Sequence, residues 1–154
     1  MNNYEEIKSK RNTTTGLKVL IVDDLKVNRV LARIIFEMTN FEIYEAKNGA
    51  EAIEIYKTLK PDVVLMDICM PEVDGIRAME KIRRDNEGGK KVPIIAFTSG
   101  EHTESKMELI KRGFSEYLKK PFHENDLYDK ISLFFSLTDT KMSQEGVNYS
   151  FAKF

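Results

Sequence analysis

Pro61-Asp62-Val63-Val64-Leu65-Met66-Asp67 runs directly into Ile68-Cys69-Met70-Pro71-Glu72-Val73-Asp74-Gly75, and the fold turns on how this stretch is read. Four consecutive apolar residues between a proline and an acid predict a short strand buried on both faces, as in parallel sheets covered by helices. A strand needs no charge at its tip, whereas open α/β sheets gather ligand sites outside the carboxyl ends of their strands. Asp67 is therefore a candidate site residue, set against the plainer roles of helix cap or solvent-facing acid. Two other stretches support the first reading. Leu17-Lys18-Val19-Leu20-Ile21-Val22 ends in Asp23-Asp24, and a late strand runs into Lys119-Lys120-Pro121.

Working outward, strand-like and helix-like segments alternate from Leu17 onward. Val27, Val30, Leu31, Ile34, Ile35 and Met38 recur at the spacing of an amphipathic helix. Glu42 to Ala46 predicts a short edge strand. Asn48-Gly49 then caps a helix carrying Ala52, Ile53, Tyr56 and Leu59, which Pro61 ends. After Gly75 a helix with Ile76, Met79 and Ile82 on one face continues to about Arg84, and Gly88-Gly89 loosens its exit. Val92 to Phe97 reads as the fourth strand, His102 to Arg112 as a helix stopped by Gly113, and Ser115 to Lys119 as the fifth strand. A last helix from Asn125 to Leu137 would bury Leu127, Ile131 and Phe134. Five strands alternating with five helices predict an α/β fold, a doubly wound parallel sheet, because parallel strands need crossovers. Right-handed crossovers bring Asp23, Asp24, Asp67, Thr98 and Lys120 to one rim.

Residues 1–16 are polar and aperiodic and read as a flexible leader with a small basic cluster at Lys8, Lys10 and Arg11. The domain would span 17–137. Residues 138–154 would form a C-terminal tail, too short for a DNA-binding output domain, in which Tyr149, Phe151 and Phe154 either hang loose or dock. Among 154 residues, 24 basic and 25 acidic side chains nearly cancel, so no global field argues for nucleic acid or an anionic membrane. Cys69 is the single cysteine, which rules out an internal disulfide framework and suits a reducing compartment. No segment approaches the ~20 apolar residues that span a bilayer, and the start is no signal peptide. The expectation is a soluble cytoplasmic protein.

Three carboxylates on one rim repel one another, and a divalent cation resolves the conflict. Hard oxygen donors without a histidine pair favour Mg2+ over zinc, with positions left for water or phosphate. Lys120 adds a point charge, and the Thr98 hydroxyl can hydrogen-bond a phosphoryl oxygen. Metal, lysine, hydroxyl and a carboxylate nucleophile suit phosphoryl transfer, whose demands are positioning and charge neutralisation.

Over roughly Leu17 to Leu137 the chain resembles the receiver domains of two-component response regulators. The resemblance rests on Val22-Asp23-Asp24, on Leu65-Met66-Asp67-Ile68-Cys69-Met70-Pro71 with Asp74-Gly75, on Phe97-Thr98-Ser99 and on Tyr117-Leu118-Lys119-Lys120-Pro121-Phe122, in the family's order and spacing. It implies a flavodoxin-like strand order, 2-1-3-4-5. It also implies that Asp67 accepts a phosphoryl group from the phosphohistidine of a histidine kinase or phosphotransfer protein. Asp24, Asp67 and the main-chain carbonyl of Cys69 would bind Mg2+, Asp23 would act through a coordinated water, and Lys120-Pro121 would be a cis peptide. Thr98 and Tyr117 resemble the family's switch pair, which would change a partner-binding face once Asp67 is phosphorylated. Asn28-Arg29 after the acid pair is frequent in receivers attached to hybrid sensor kinases. The resemblance implies a signalling switch rather than a turnover enzyme. A Mg2+-dependent aspartyl phosphohydrolase is the rival, although Cys69 stands where such enzymes commonly carry a second acid. A phosphorylation-independent scaffold is the third reading.

Overall fold

The computed structural model describes residues 16–37, 39, 41–85, 92–100 and 102–135. The leader and tail expected at the chain ends, the Gly88-Gly89 pair and the Met38 side chain lie outside them. The strands are β1 (Lys18–Val22), β2 (Glu42–Ala46), β3 (Val63–Asp67), β4 (Ile94–Thr98) and β5 (Glu116–Lys119), and the helices are α1 (Lys26–Glu37), α2 (Gly49–Leu59), α3 (Gly75–Arg83), α4 (Lys106–Arg112) and α5 (Glu124–Ser132). All strands pair in parallel in the order β2-β1-β3-β4-β5. This is the predicted doubly wound sheet.

Alternation along the inner strands splits the core into two layers. Val19, Ile21, Val63, Leu65, Ile95 and Phe97 point to the side of α1 and α5, where they meet Ala32, Ile35, Phe36, Leu127 and Ile131. Leu20, Val22, Val64, Met66, Ile94 and Ala96 point to the side of α2, α3 and α4, against Ala52, Tyr56, Met79, Ile82 and Leu109. Every residue of β3 and β4 is buried. Each large apolar side chain so placed contributes about 1.5–3 kcal/mol.

Local chemistry sets the element ends. Asn48 Oδ1 accepts the Glu51 N–H at 2.7 Å and starts α2, as its position predicts. Lys60 closes that helix in the left-handed region, and Pro61 follows. Gly113 ends α4 at φ 133°, its N–H donating to Leu109 and Ile110.

Several boundaries differ from the sequence reading. The fourth strand begins at Ile94 rather than Val92 and includes Thr98, and the fifth begins at Glu116 rather than Ser115. The helix expected from His102 starts at Lys106, because Ser105 and Glu108 form a capping box there: Ser105 N–H donates to Glu108 at 2.6 Å and Glu108 N–H to Ser105 Oγ at 3.3 Å. The last helix stops at Ser132, and Phe135 rather than Phe134 is the buried aromatic at its end.

The largest correction concerns α1. Its packed residues are Ala32, Ile35 and Phe36, whereas Val27 is 61% exposed and Val30 and Ile34 also face outward. The packed face is rotated by about one residue, roughly 100°, from the stripe read in the sequence. Apolar residues cover most of this helix, so their period does not determine its phase. The small Ala32 lets the helix approach the sheet, and Phe36 fills the gap beside Phe41, 5.5 Å from ring to ring. Tyr128 of α5 donates to the Ile35 carbonyl at 2.9 Å and locks the two helices together.

Candidate functional site

The carboxyl ends of β1, β3 and β4, with the loop after β5, form the rim. Asp23, Asp24 and Asp67 each offer a carboxylate oxygen within 4.8 Å of the others. Asp23 is fully buried and Asp67 is 4% exposed, whereas Asp24 is open to solvent. Lys120 Nζ reaches across, 2.5 Å from Asp23 Oδ2 and 3.3 Å from Asp67 Oδ1. The Lys120–Pro121 peptide is cis, as the resemblance implied. The Lys120 N–H donates to the Thr98 carbonyl at 2.7 Å, and its ammonium lies 4.3 Å from the centre of the Phe97 ring.

Asp23 is held at every polar atom. Its N–H donates to the Ala46 carbonyl at 3.1 Å. Its Oδ1 accepts from Leu25 N–H at 2.9 Å and Asn28 Nδ2 at 3.2 Å, while Lys120 occupies Oδ2. Its carbonyl accepts from Arg29 Nη1 at 2.8 Å. Asp67 has fewer partners. Burial, opposed by Lys120 and reinforced by Asp23 and Asp24, pushes its carboxyl from 3.8 to about 6. Gly75 secures the far side of the same loop: a Cβ there would collide with the main chain of Asp67, and its N–H donates to the Ile68 carbonyl at 3.0 Å. Asp74 caps α3 through Arg77 N–H at 2.9 Å.

Asp24, Leu25, Asn28, Asp67, Cys69, Ser99, Lys120 and Pro121 line a cleft of about 520 Å³. Thr98 is fully buried and does not line it, and its hydroxyl accepts from Gly100 N–H at 3.1 Å. Tyr117 pairs with Ala96 across the strands, placing it on the same face of the sheet as Thr98. Its ring lies 6.4 Å from that of His102, whose side chain is 8% exposed and whose ring nitrogens have no hydrogen-bond partner among the described residues. Asn28, Arg29 and Ser99 are site neighbours that the sequence reading did not assign. Asn28 and Arg29 fall one turn beyond the acid pair on α1, a helical spacing that could have revealed them.

A carboxylate triad and an amine at a strand-end rim, on a sheet ordered 2-1-3-4-5, define a receiver. The model for the response regulator receiver domain matches residues 19–132, and the chain belongs to that family. It is 43% identical over 116 residues to the chemotaxis protein CheY of Halobacterium salinarum, covering 75% of this chain and 93% of that protein. With CheY of Thermotoga maritima it shares 37% over 118 residues, 76% of this chain and 96% of the other. The receiver domain of the sensor histidine kinase PA1611 from Pseudomonas aeruginosa, solved with a magnesium ion in its active-site cleft, superposes with a TM-score of 0.71 at 28% identity, covering 78% of this chain and 98% of that one. This protein is thus a receiver of two-component signalling. No helix among the described residues is long and apolar enough to cross a membrane.

Proposed function

We propose that Asp67 is the phosphoryl acceptor and that Asp24, Asp67 and the Cys69 carbonyl hold Mg2+, with Asp23 acting through its water and Lys120 balancing charge. The observation that carries this is the triad of close carboxylates, one of them pushed to about 6. Such a donor set fits a hard divalent cation, which would relieve the repulsion and lower the hold of Asp67 on its proton, favouring the ionised, nucleophilic form. The bound ion would supply charge neutralisation for the transferred phosphoryl oxygens. Asp23 suits an indirect role because both its carboxylate oxygens are engaged. Lys120 stands ready to pair with the phosphoryl group. As the Thr98 hydroxyl turns from Gly100 toward the phosphate, Tyr117 moves into the space beside Ala96 and reshapes the face of α4 and β5.

The donor is a histidine kinase or phosphotransfer protein. Leu25, at the cleft mouth, continues into the outward-facing Val27, Val30 and Ile34 of α1. This apolar strip suits a helical donor presenting a phosphohistidine. The chain assists its own phosphorylation and is not a turnover enzyme.

Acetyl phosphate with Mg2+, followed by intact mass, tests the reading. One added phosphoryl group, absent in Asp67→Asn, is expected. Continuous turnover of the donor would point to a phosphohydrolase, and no reaction would point to a scaffold. For the switch, amide shifts around Thr98 and Tyr117 should move with a beryllofluoride mimic, and fixed shifts would refute the coupling.

A further inference from the structure

We infer that Arg29, anchored by Glu45 of the edge strand, is a positioning residue that holds the Asp23-Asp24 main chain in its metal-binding geometry. The inference rests on the metal reading of the rim proposed above.

The two acids are held in different ways. Asp23 is fixed through its own side chain, but the Asp24 carboxylate is exposed, and among the described residues no side chain holds it. Its direction is therefore set by its backbone. Among the described residues, the carbonyls of that backbone are gripped by the side chain of Arg29, whose Nη1 donates to the Asp23 carbonyl at 2.8 Å and reaches the Asp24 carbonyl at 3.5 Å. The guanidinium is itself fixed, with Nε donating to Glu45 Oε2 at 3.1 Å and a side chain only 15% exposed. Glu45 also accepts from Arg33 Nε at 2.7 Å. Burial acts to raise the Glu45 carboxyl, but the bonds from Arg33 and Arg29 prevail and hold it below its ordinary value. Glu45 stays ionised and offsets a guanidinium that would otherwise repel an arriving dication.

Glu45 faces Ile21 across the β1–β2 ladder, and the neighbouring Ala46 carbonyl takes the Asp23 N–H. The edge strand thus fixes the acid pair twice, once through its main chain and once through Arg29. Only a forked donor does this. Arg presents Nε to one partner and a terminal nitrogen to another in fixed geometry, which a lysine ammonium cannot reproduce. Arg33 is the internal control: it shares the Glu45 carboxylate, and no bond to the acid-pair carbonyls is seen for it.

Amide-detected titration with Mg2+ alone, on the full chain without a phosphodonor, tests the assignment. Arg29→Met is expected to weaken Mg2+ binding about tenfold, the scale of losing a group that orients a ligand. Arg29→Lys should recover little, and Arg33→Met should bind like the parent. Unchanged affinity in Arg29→Met, or an equal loss in Arg33→Met, overturns the inference. Thermal unfolding of each variant accompanies the titration. Should Arg29→Met fail to fold, Glu45→Gln takes its place: weaker binding than in Arg33→Met supports the anchor, and equal binding overturns it. A parent that binds no Mg2+ removes the metal reading and this inference together. A parent that binds while the Arg29 variants bind equally well removes this inference alone.

Discussion

The central strand carries a buried aspartate beside each end, and the two face opposite fates. Asp62, before β3, is 7% exposed, and Asp67, at its close, is 4% exposed. Asp62 Oδ2 accepts the Lys18 N–H at 2.7 Å while the Asp62 N–H donates to the Lys18 carbonyl at 2.8 Å, so this acid completes the ladder where β1 and β3 begin. Asp67 faces two other carboxylates with one lysine among them. Burial alone therefore does not mark a functional acid. What separates the two is whether the neighbours satisfy the charge or compete with it.

Matched substitutions are the sharpest way to break this comparison. Asp67→Asn should abolish phosphoryl uptake from acetyl phosphate in intact-mass measurements, and Asp62→Asn should retain it. Without metal at neutral pH the stability effects should have opposite signs. Asp67→Asn removes an acid whose folded form prefers its proton, stabilising by about 2 kcal/mol in denaturant melts. Asp62→Asn weakens a charge-assisted bond to the main chain and costs about 1 kcal/mol. Two changes of the same sign would dissolve the distinction.

The pH dependence follows from the same shift. Asp67 holds its proton more tightly folded than unfolded, with a carboxyl raised from 3.8 to about 6. Its ionisation therefore costs folding free energy above pH 6, and metal-free stability recovers as pH falls from about 6 toward 4. Asp67→Asn should lack that component, read as the difference between the two melting profiles. Mg2+ binding requires the proton to leave, so its affinity should fall about tenfold per pH unit below pH 6. An affinity flat between pH 5 and 6 would show that Asp67 is already ionised before the metal arrives.

The same contrast explains what was legible in the sequence. The strand Val63–Asp67 was readable because a strand buried on both faces needs apolar residues throughout, leaving the terminal acid without a packing role. Strand order and the convergence of Asp23, Asp24, Asp67 and Lys120 followed from that strand, its neighbours and the family motif. The linkage through Arg29 is not readable, because Arg29 lies on α1 and its partner Glu45 on β2, and only the folding of the helix beside the edge strand brings them together. Thr98 ends β4 as its place in the motif implies, but its burial, with Ser99 rather than Thr98 lining the cleft, depends on how the chain turns after the strand. The start of α4 differs from the sequence reading for a local reason: Ser105 and Glu108 form a capping box that sets the helix beginning at Lys106.

The phase of α1 is the subtlest case, and it brings the opening contrast down to two aliphatic side chains on one helix. Val30 and Ile35 belong to the same sequence stripe, but Val30 is 38% exposed and Ile35 is 4% exposed. Ile35→Ala should lose about 2–5 kcal/mol, as for other large-to-small core changes. Val30→Ser should change the unfolding free energy by less than about 0.5 kcal/mol, read from the urea midpoint at an unchanged slope, because it opens no cavity. Its effect should appear instead in transfer from a phosphohistidine protein, slowed while uptake from acetyl phosphate stays at the parent rate. A Val30→Ser variant as unstable as Ile35→Ala would mean that the helix packs on the stripe read in the sequence. A stable variant with unaltered transfer would move the donor's footing elsewhere on the rim. Slowed transfer without lost stability would show that the apolar residues left outside the core are those that meet the donor.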